Sequence, residues 1–166
     1  MASSEITLEA VPSIGEVAPQ DWDACANPAR ACNGQEPGPS LGLPGGSLAL
    51  SKLAYNPFVS HAFLSAVEKS GSATIRTGWG PRHLVAKIDG KVAGVVPCYL
   101  KSHSQGEYVF DRGWADAFER AGGRYYPKLQ VSVPFTPATG PRLLIRNGVD
   151  RERIASALAS GLSAVA

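Results

Sequence analysis

Apolar and polar residues alternate at the start of the chain, over residues 5–11. Ile6, Leu8 and Ala10 fall on one side of an extended segment, and Thr7 and Glu9 fall on the other. This period-two pattern predicts a half-buried strand. The stretch "PQDWDACA" that follows predicts a short helix, because a proline suits a first helical turn and its tryptophan can pack inward.

Three later segments carry the 3.6-residue apolar period of amphipathic helices. "NPFVSHAFLSAVEKSG" predicts a helix with Asn56 as its N-cap and Gly71 as its stop signal. "DRGWADAFERAGG" predicts a helix capped by Asp111, and "DRERIASALASGLSAVA" predicts one capped by Asp150. The stripe of the second helix, which we expect to face the core, consists of Trp114, Ala117, Phe118 and Ala121.

The most apolar part of the chain is "HLVAKIDGKVAGVVPCYLK", which predicts a β-hairpin. Its turn falls at Asp89 and Gly90, which tolerate the positive φ that a type I′ turn requires. Both runs are nearly all apolar, so we expect both faces of the sheet to be covered. Pro97 lacks an N–H group and predicts a bulge or a gap in strand pairing. Further strands are predicted at "EYVFD", "KLQVSVPF" and "RLLIR".

Composition divides the chain into three parts. Residues 1–26 hold the first strand and helix, and residues 55–166 hold the rest of one domain. Between them, residues 27–54 are rich in Gly, Pro, Ser and Ala, which predicts a flexible insertion; an active-site lid is the alternative interpretation. The apolar stripe of the final helix runs to Ala166 without a stop signal, so we expect the chain to be the N-terminal part of something longer.

Charge and cysteine content exclude several classes of function. The formal net charge is +2 and the basic residues are scattered, which disfavours sequence-specific nucleic-acid binding. No apolar run approaches the length of a membrane helix, and the N-terminus resembles neither a secretory signal nor a transit peptide. These features favour a cytoplasmic protein that does not bind membranes. The three cysteines form neither a disulfide framework nor a zinc motif, and no metal site is predicted.

One candidate site lies in "TGWGPRH", residues 77–83. The two glycines permit a sharp turn, Trp79 offers a stacking face, and Arg82 and His83 supply hydrogen-bond donors. These three residues are the predicted substrate-binding set. The alternative is a simple turn before a strand, with Trp79 as a packing lid.

A second candidate site is the proline-rich stretch "VPFTPATGPRLLI". Thr136 and Thr139 offer hydroxyl groups, Gly140 permits close backbone approach, and Arg142 can reach a phosphate. These four residues are the predicted donor-binding set, where donor means the molecule that carries the acyl group. A plain connection between two strands is the alternative. No phosphate-loop, nucleophile or acid–base motif is present, so no catalytic residue is assigned.

Three stretches, in this order, resemble the FemAB-like family of peptidoglycan biosynthesis or recognition proteins. They are "NPFVSHAFLSAVEKSG", "GWGPRHLVAKIDGKVAGVVPCYLKSHSQGEYVFD" and "VPFTPATGPRLLI". The resemblance covers residues 55–165 together with the first strand and helix. It implies membership in the GNAT-related acyl-CoA N-acyltransferase superfamily. The implied fold is α/β (α+β) and GNAT-like, a mixed, mostly antiparallel sheet flanked by helices, here in an incomplete copy.

The resemblance also implies a function. The chain would be the N-terminal half of an acyltransferase that moves an acyl or aminoacyl group to an amine, and this half alone is expected to be inactive. Acyl-CoA or aminoacyl-tRNA would serve as a donor substrate and not as a tightly bound cofactor, and the acceptor would be a small-molecule or peptide amine. Two alternatives are a non-catalytic binding module of the same fold and an inactive truncated gene product.

Overall fold

The computed structural model describes residues 5–28, 55–108 and 110–166. Within these ranges the chain forms seven strands and four α-helices. The strands are β1 (Ile6–Val11), β2 (Trp79–Pro81), β3 (His83–Ile88), β4 (Lys91–Val96), β5 (Cys98–Lys101), β6 (Lys128–Val131) and β7 (Leu144–Ile145). The helices are α1 (Pro19–Ala26), α2 (His61–Lys69), α3 (Arg112–Arg120) and α4 (Arg151–Val165).

The strands build two sheets. The larger sheet has the order β1-β3-β4-β7, and the smaller one has the order β2-β5-β6. All neighbouring strands in both sheets run antiparallel. With helices packed against the larger sheet, this arrangement confirms the predicted α+β class.

The predicted hairpin forms the centre of the larger sheet. Strands β3 and β4 are joined at Asp89 and Gly90, whose φ angles are 48° and 80°. Successive residues of β3 alternate between two cores, as the pleat of a strand requires. Val85 packs into the core shared with α1 and α2, and Leu84 packs into the core shared with α4. The prediction that both faces of the hairpin are covered is confirmed.

The same hairpin continues into the smaller sheet. Strand β2 gives way to β3 at Arg82, and β4 gives way to β5 at Pro97. The gap in pairing predicted at Pro97 is therefore confirmed, and it marks the point where the chain leaves one sheet for the other. The N–H group of Arg82 donates to the carbonyl of Cys98 across this junction at 2.8 Å, which keeps the two strands together where the sheets separate.

Helix α4 packs closely on β4. An added Cβ atom at Gly94 would lie 2.8 Å from Ile154 Cγ2 and 3.1 Å from Leu158 Cδ1. Ile154 and Leu158 are both fully buried, which confirms the predicted apolar stripe over the first part of the helix, while Val165 near its end is exposed. At its start, the side chain of Asp150 accepts a hydrogen bond from Arg153 N, which confirms the predicted cap.

The first strand and helix also form as predicted, and Trp22 is fully buried with its Nε1 donating to Val59 O at 2.8 Å. The next helix is shorter than predicted. Asn56 caps only a 3-10 turn at Pro57–Val59, and α2 begins after Ser60, whose side chain caps it instead. The extended backbone of Ser60 separates the two segments.

Two predictions downstream are wrong. The described residues of "EYVFD" form no strand, and the partner of β6 is β5. The predicted inward stripe of α3 faces solvent, with Trp114 77% and Phe118 51% exposed, and the buried residue of this helix is Ala115. The described residues between 107 and 111 offer α3 no strand to cover, so its apolar side chains stay at the surface.

Most of the predicted insertion, from residue 29 to residue 54, lies outside the described residues. The chain on either side of it is held together. Asn27 Nδ2 donates to Asn56 O at 3.2 Å, and Asn56 N donates to Asn27 Oδ1 at 2.8 Å. None of the helices in the described ranges has the length and apolar character needed to cross a bilayer.

Candidate functional site

A cavity of about 570 Å³ lies beside the smaller sheet. Strand β6 and part of the loop that follows it line this cavity, together with Gly106, Glu107, Tyr108 and Asp111. Three of the predicted site residues meet here, namely Trp79, Thr136 and Arg142. The structure thus brings one member of the predicted substrate-binding set together with two members of the predicted donor-binding set.

The other predicted residues lie elsewhere. Arg82 is exposed at the junction of the sheets, and Thr139 and Gly140 lie in the same loop as Thr136 but do not line the cavity. His83 is fully buried. Its Nδ1 accepts a hydrogen bond from Cys98 N at 3.2 Å, so the neutral ring carries its proton on Nε2 and donates it to Glu68 Oε1 at 2.8 Å. Both nitrogens of His83 are therefore engaged within the fold.

The loop of residues 132–142 is braced by its own side chains. Arg142 Nη2 donates to Ala138 O at 2.6 Å, and Arg142 Nη1 donates to Gly140 O at 3.3 Å. Thr136 Oγ1 accepts from Ala138 N at 3.2 Å. Asn56 Nδ2 donates to Thr139 O at 3.1 Å, which links the loop to the start of the 3-10 turn at Pro57–Val59. The guanidinium group of Arg142 fixes the shape of the cavity wall.

Three charged residues that line the cavity, Glu107, Asp111 and Lys128, form a cluster with the buried Lys101. Lys128 Nζ contacts Asp111 Oδ2 directly and lies 3.3 Å from Glu107 Oε1. Lys101 is fully buried, with its Nζ 4.0 Å from Glu107 Oε1. The four side chains form one network with two charges of each sign.

Strand β5 places Lys101 against Trp79. Lys101 Nζ lies 3.7 Å from the centre of the Trp79 ring and donates to Gln105 O at 2.9 Å. Trp79 Nε1 donates to the same carbonyl at 3.0 Å. Burial lowers the pKa of Lys101 to about 8, against the opposing effect of Glu107. A lysine with this pKa is partly neutral near physiological pH.

Burial also changes the pKa of one of the two carboxyl groups in the network, that of Glu107. It raises the pKa of Glu107 above its ordinary value, although the charge of Lys128 acts in the opposite direction. The Glu107 side chain is 7% exposed, and its Oε1 is buried without a hydrogen-bond partner. Gln130 on β6 likewise has a buried Oε1 without a partner. Both oxygens are shielded from solvent, and Lys128 Nζ lies 3.3 Å from Glu107 Oε1.

A second cavity, of about 620 Å³, lies near the 3-10 turn at Ile14–Glu16 and is lined in part by Ser13 and Glu68. The carboxylate of Glu68 accepts from Ser13 Oγ at 2.8 Å and from Ile14 N at 3.1 Å, in addition to His83. These bonds occupy both oxygens of Glu68. The carboxylate fastens the fold and is not available to a ligand.

The residues that sequence reasoning missed are Lys101, Glu107 and Gln130. Each looked like an ordinary polar residue of a predicted strand, and no motif distinguished it. Cys25 and Cys98 are buried free thiols whose pKa values burial raises to about 11, which argues against a nucleophilic role. Among the described residues, no three His, Cys, Asp or Glu side chains are arranged to hold a metal ion.

Comparison with known proteins gives one match. The family described as FemAB-like, peptidoglycan biosynthesis/recognition, matches residues 13–166. The matched region includes both sheets from β2 onward and all residues that line the cavity beside β6. No curated protein and no solved structure matches the chain.

Proposed function

Because the chain belongs to the FemAB-like family of peptidoglycan biosynthesis/recognition proteins, we propose that it serves in the transfer of an acyl or aminoacyl group to an amine. In this proposal the cavity beside β6 holds the amine. Acyl-CoA and aminoacyl-tRNA remain the two candidate donors. Membership in the GNAT-like superfamily is part of this proposal, because the FemAB-like family implies it. The observation that carries the proposal is the buried carboxylate of Glu107, which lines the cavity and has Lys128 Nζ 3.3 Å from its Oε1.

Amide formation requires a base near the amine. A protonated amine cannot attack a carbonyl, so an ammonium group first loses one proton to solvent, and the nitrogen loses a second proton as the new bond forms. Burial raises the pKa of Glu107 toward the range where a carboxylate is an effective base. We assign Glu107 Oε1 as the group that accepts this proton.

The remaining steps balance without a further reactant. The nitrogen forms a bond to the carbonyl carbon, the carbonyl oxygen gains negative charge, and the bond to the thiol or hydroxyl of the donor then breaks. The proton taken by Glu107 leaves with that thiol or hydroxyl. Lys128, which lines the cavity, supplies positive charge for the carbonyl oxygen while it is negative.

The loop of residues 132–142 is the proposed contact for the donor. Thr136 and Arg142 line the cavity, while Thr139 and Gly140 lie in the same loop. Arg82 and His83 have no part in this mechanism, because Arg82 lies outside the cavity and His83 is fully occupied by Glu68 and Cys98.

A Glu107→Gln variant tests the proposal. Transfer from radiolabelled acetyl-CoA or alanyl-tRNA to glycinamide is measured, with circular dichroism to confirm folding. We expect the variant to lose about 10²–10⁴-fold in rate, which is the typical contribution of a general base. The matched control is Glu119→Gln, which changes an exposed carboxylate on α3. Equal, measurable rates for the wild type and Glu107→Gln would overturn the assignment, and a wild type that transfers from neither donor would count against the proposed function.

A non-catalytic binding module is the second candidate function. The observation that favours it is the bracing of Arg142, whose guanidinium donates to carbonyl groups of its own loop. A thermal melt with and without acetyl-CoA tests whether the chain binds this acyl donor, which a transferase requires and a binding module does not. A rise in Tm shows that the donor binds the native state, while amine binding without transfer from either donor favours the binding module.

A further inference from the structure

Lys101 is a fully buried lysine at the end of β5 that has no role among the proposed reaction steps. Its partner in the antiparallel register is Lys128 on β6. Two lysines directly opposite each other repel, and removal of an ammonium group from water adds a further cost. A methionine would fill the same space without either cost. Packing alone therefore does not account for a lysine at this position.

Glu107 lies between the two lysines. Its Oε1 is 4.0 Å from Lys101 Nζ and 3.3 Å from Lys128 Nζ. Lys128 shares its charge with Asp111, which it contacts directly. In the described part of the chain, Glu107 is the one carboxylate within 4.0 Å of Lys101. At this distance the attraction between the two is coulombic and not a hydrogen bond, and the exclusion of water strengthens it.

Lys101 also holds the turn that carries Glu107, residues 102–107. Its Nζ donates to Gln105 O at 2.9 Å, and Trp79 Nε1 donates to the same carbonyl at 3.0 Å. Glu107 N donates to Ser104 O at 3.2 Å, which closes the turn just before the carboxylate. The turn thus leads the carboxylate of Glu107 back toward the ammonium group that binds the turn.

We infer that Lys101 is the positioning residue of the proposed site: its buried ammonium group keeps the Glu107 carboxylate ionised and fixes the turn that presents it. This inference rests on the proposed function, because Lys101 acts through the proposed base. Burial raises the pKa of Glu107, and the positive charges of Lys128 and Lys101 act in the opposite direction. Without Lys101, a larger share of Glu107 would be protonated and unable to accept a proton.

Several other ionisable groups face this pair. Lys128 comes from β6, Asp111 precedes α3, and Tyr125 and Tyr126 come from the segment before β6. Against the effect of burial, the contact between Lys128 and Asp111 raises the pKa of the lysine and lowers that of the carboxyl group. Burial raises the pKa of both tyrosines above their ordinary value. None of these four groups changes charge near pH 8, which is the pKa of Lys101.

Carbon NMR tests the inference without any substrate. The 166-residue chain is labelled at the carboxyl carbons of glutamate and at Cε of lysine, and Glu107→Gln and Lys101→Met assign the two signals. In the wild type we expect the Glu107 signal to show its main step and a second, smaller step near pH 8, together with the titration of Lys101. In Lys101→Met the second step should vanish, and the midpoint of the main step should rise by about one pH unit.

The wild-type titration decides the matter even where Lys101→Met fails to fold, which circular dichroism reports. A Glu107 signal without a step between about pH 7 and 9 would overturn the inference. A folded Lys101→Met variant with the wild-type midpoint would also contradict it, because that result describes a lysine with a structural role alone. Lys101→Arg keeps the positive charge, so it should lose the step near pH 8 and retain the wild-type midpoint.

Two control variants show that the step belongs to Lys101. His103→Gln removes the other ionisable side chain of the 102–107 turn that lies between Lys101 and Glu107, and Lys91→Met removes an exposed lysine of β4. Both variants should keep the step near pH 8. Loss of the step in His103→Gln would assign it to the histidine and overturn the inference.

Activity separates this inference from the proposed function. Where transfer to glycinamide occurs, the acid limb of kcat/KM against pH should move upward in Lys101→Met by the same amount as the Glu107 midpoint, because this limb reports the free enzyme. If Glu107 responds to Lys101 but neither donor supports transfer, the proposed function fails and the coupling of the two residues stands. If transfer depends on Glu107 while its titration is independent of Lys101, the function stands and this inference fails.

Discussion

His83 Nε2 lies 2.8 Å from Glu68 Oε1, and through this bond the start of β3 is fastened to helix α2. The opposite nitrogen of His83 accepts from Cys98 N, so one imidazole joins three elements. Burial alone would raise the pKa of Glu68, but the hydrogen bonds from His83 and Ser13 outweigh it and lower the pKa below 4.5. The ionised carboxylate is therefore the form that stabilises the fold.

We expect Glu68→Gln to lower the free energy of unfolding at pH 7 by about 1–3 kcal/mol, because an amide leaves buried donors unsatisfied. A lowered pKa contributes stability above the unfolded value of 4.5, and this contribution is lost as pH falls through the folded value. The difference between the wild type and the variant should shrink below pH 4.5 in urea titrations. A difference that grows on acidification would contradict this role, and Glu16→Gln at an exposed position is the control.

Gly94 allows helix α4 to approach β4. An alanine there would bring its Cβ to 2.8 Å from Ile154 Cγ2, so the helix or the strand must shift. We expect Gly94→Ala to cost about 1–3 kcal/mol in chemical denaturation. Gly113→Ala on α3 is the matched control, because nothing lies within 4 Å of the added atom. That control should leave stability unchanged or raise it by up to about 1 kcal/mol.

The lowered pKa of Lys101 predicts that the protein becomes more stable as the pH rises above about 8. Its folded pKa is about 8 and its unfolded value is 10.5, so between these values the unfolded chain binds more protons. The free energy of unfolding should rise with pH across this window relative to a Lys101→Met variant. Urea melts at pH 7, 8, 9 and 10 measure it. Lys91→Met, at an exposed position, should show no such divergence from the wild type, and parallel curves for Lys101→Met would contradict the prediction.

The Asn27–Asn56 contact bears on the predicted insertion. Because two hydrogen bonds join its ends, we expect the chain to fold when residues 30–53 are replaced by a short glycine–serine linker. The insertion lengthens the loop that β1 and β3 close by less than a doubling, so it costs less than about 0.6 kcal/mol in loop entropy. Calorimetry should show a cooperative melt with Tm within a few degrees of the wild type. Loss of that transition would show that the segment is part of the core.

Local signals predicted the elements that depend on local physics. The positive φ of Asp89 and Gly90, the formation of strand β1 and the Asp150 cap all follow from residues within a few positions of one another. The failures needed tertiary information. The period of α3 correctly indicates an amphipathic helix, yet periodicity does not say whether Trp114 and Phe118 meet a partner.

The site shows the same division. Backbone-permissive loops and an aromatic residue led to Trp79, Thr136 and Arg142, which the fold brings into one cavity. Glu107 could not be found this way, because its significance comes from burial and from the positions of Lys101 and Lys128. His83 looked available because it begins a strand after a turn, and only the packing of α2 shows that it is occupied.

The hairpin that crosses from one sheet to the other has a consequence for how the molecule unfolds. Strand β2 continues into β3 through Arg82, and β4 continues into β5 through Pro97. Separation of these strands in one sheet therefore also disturbs the strands of the other sheet. The cavity wall and the larger core therefore belong to one cooperative unit. Partial opening should be confined to the periphery, at α3 and the loop before β7, and should leave β5 protected until global unfolding.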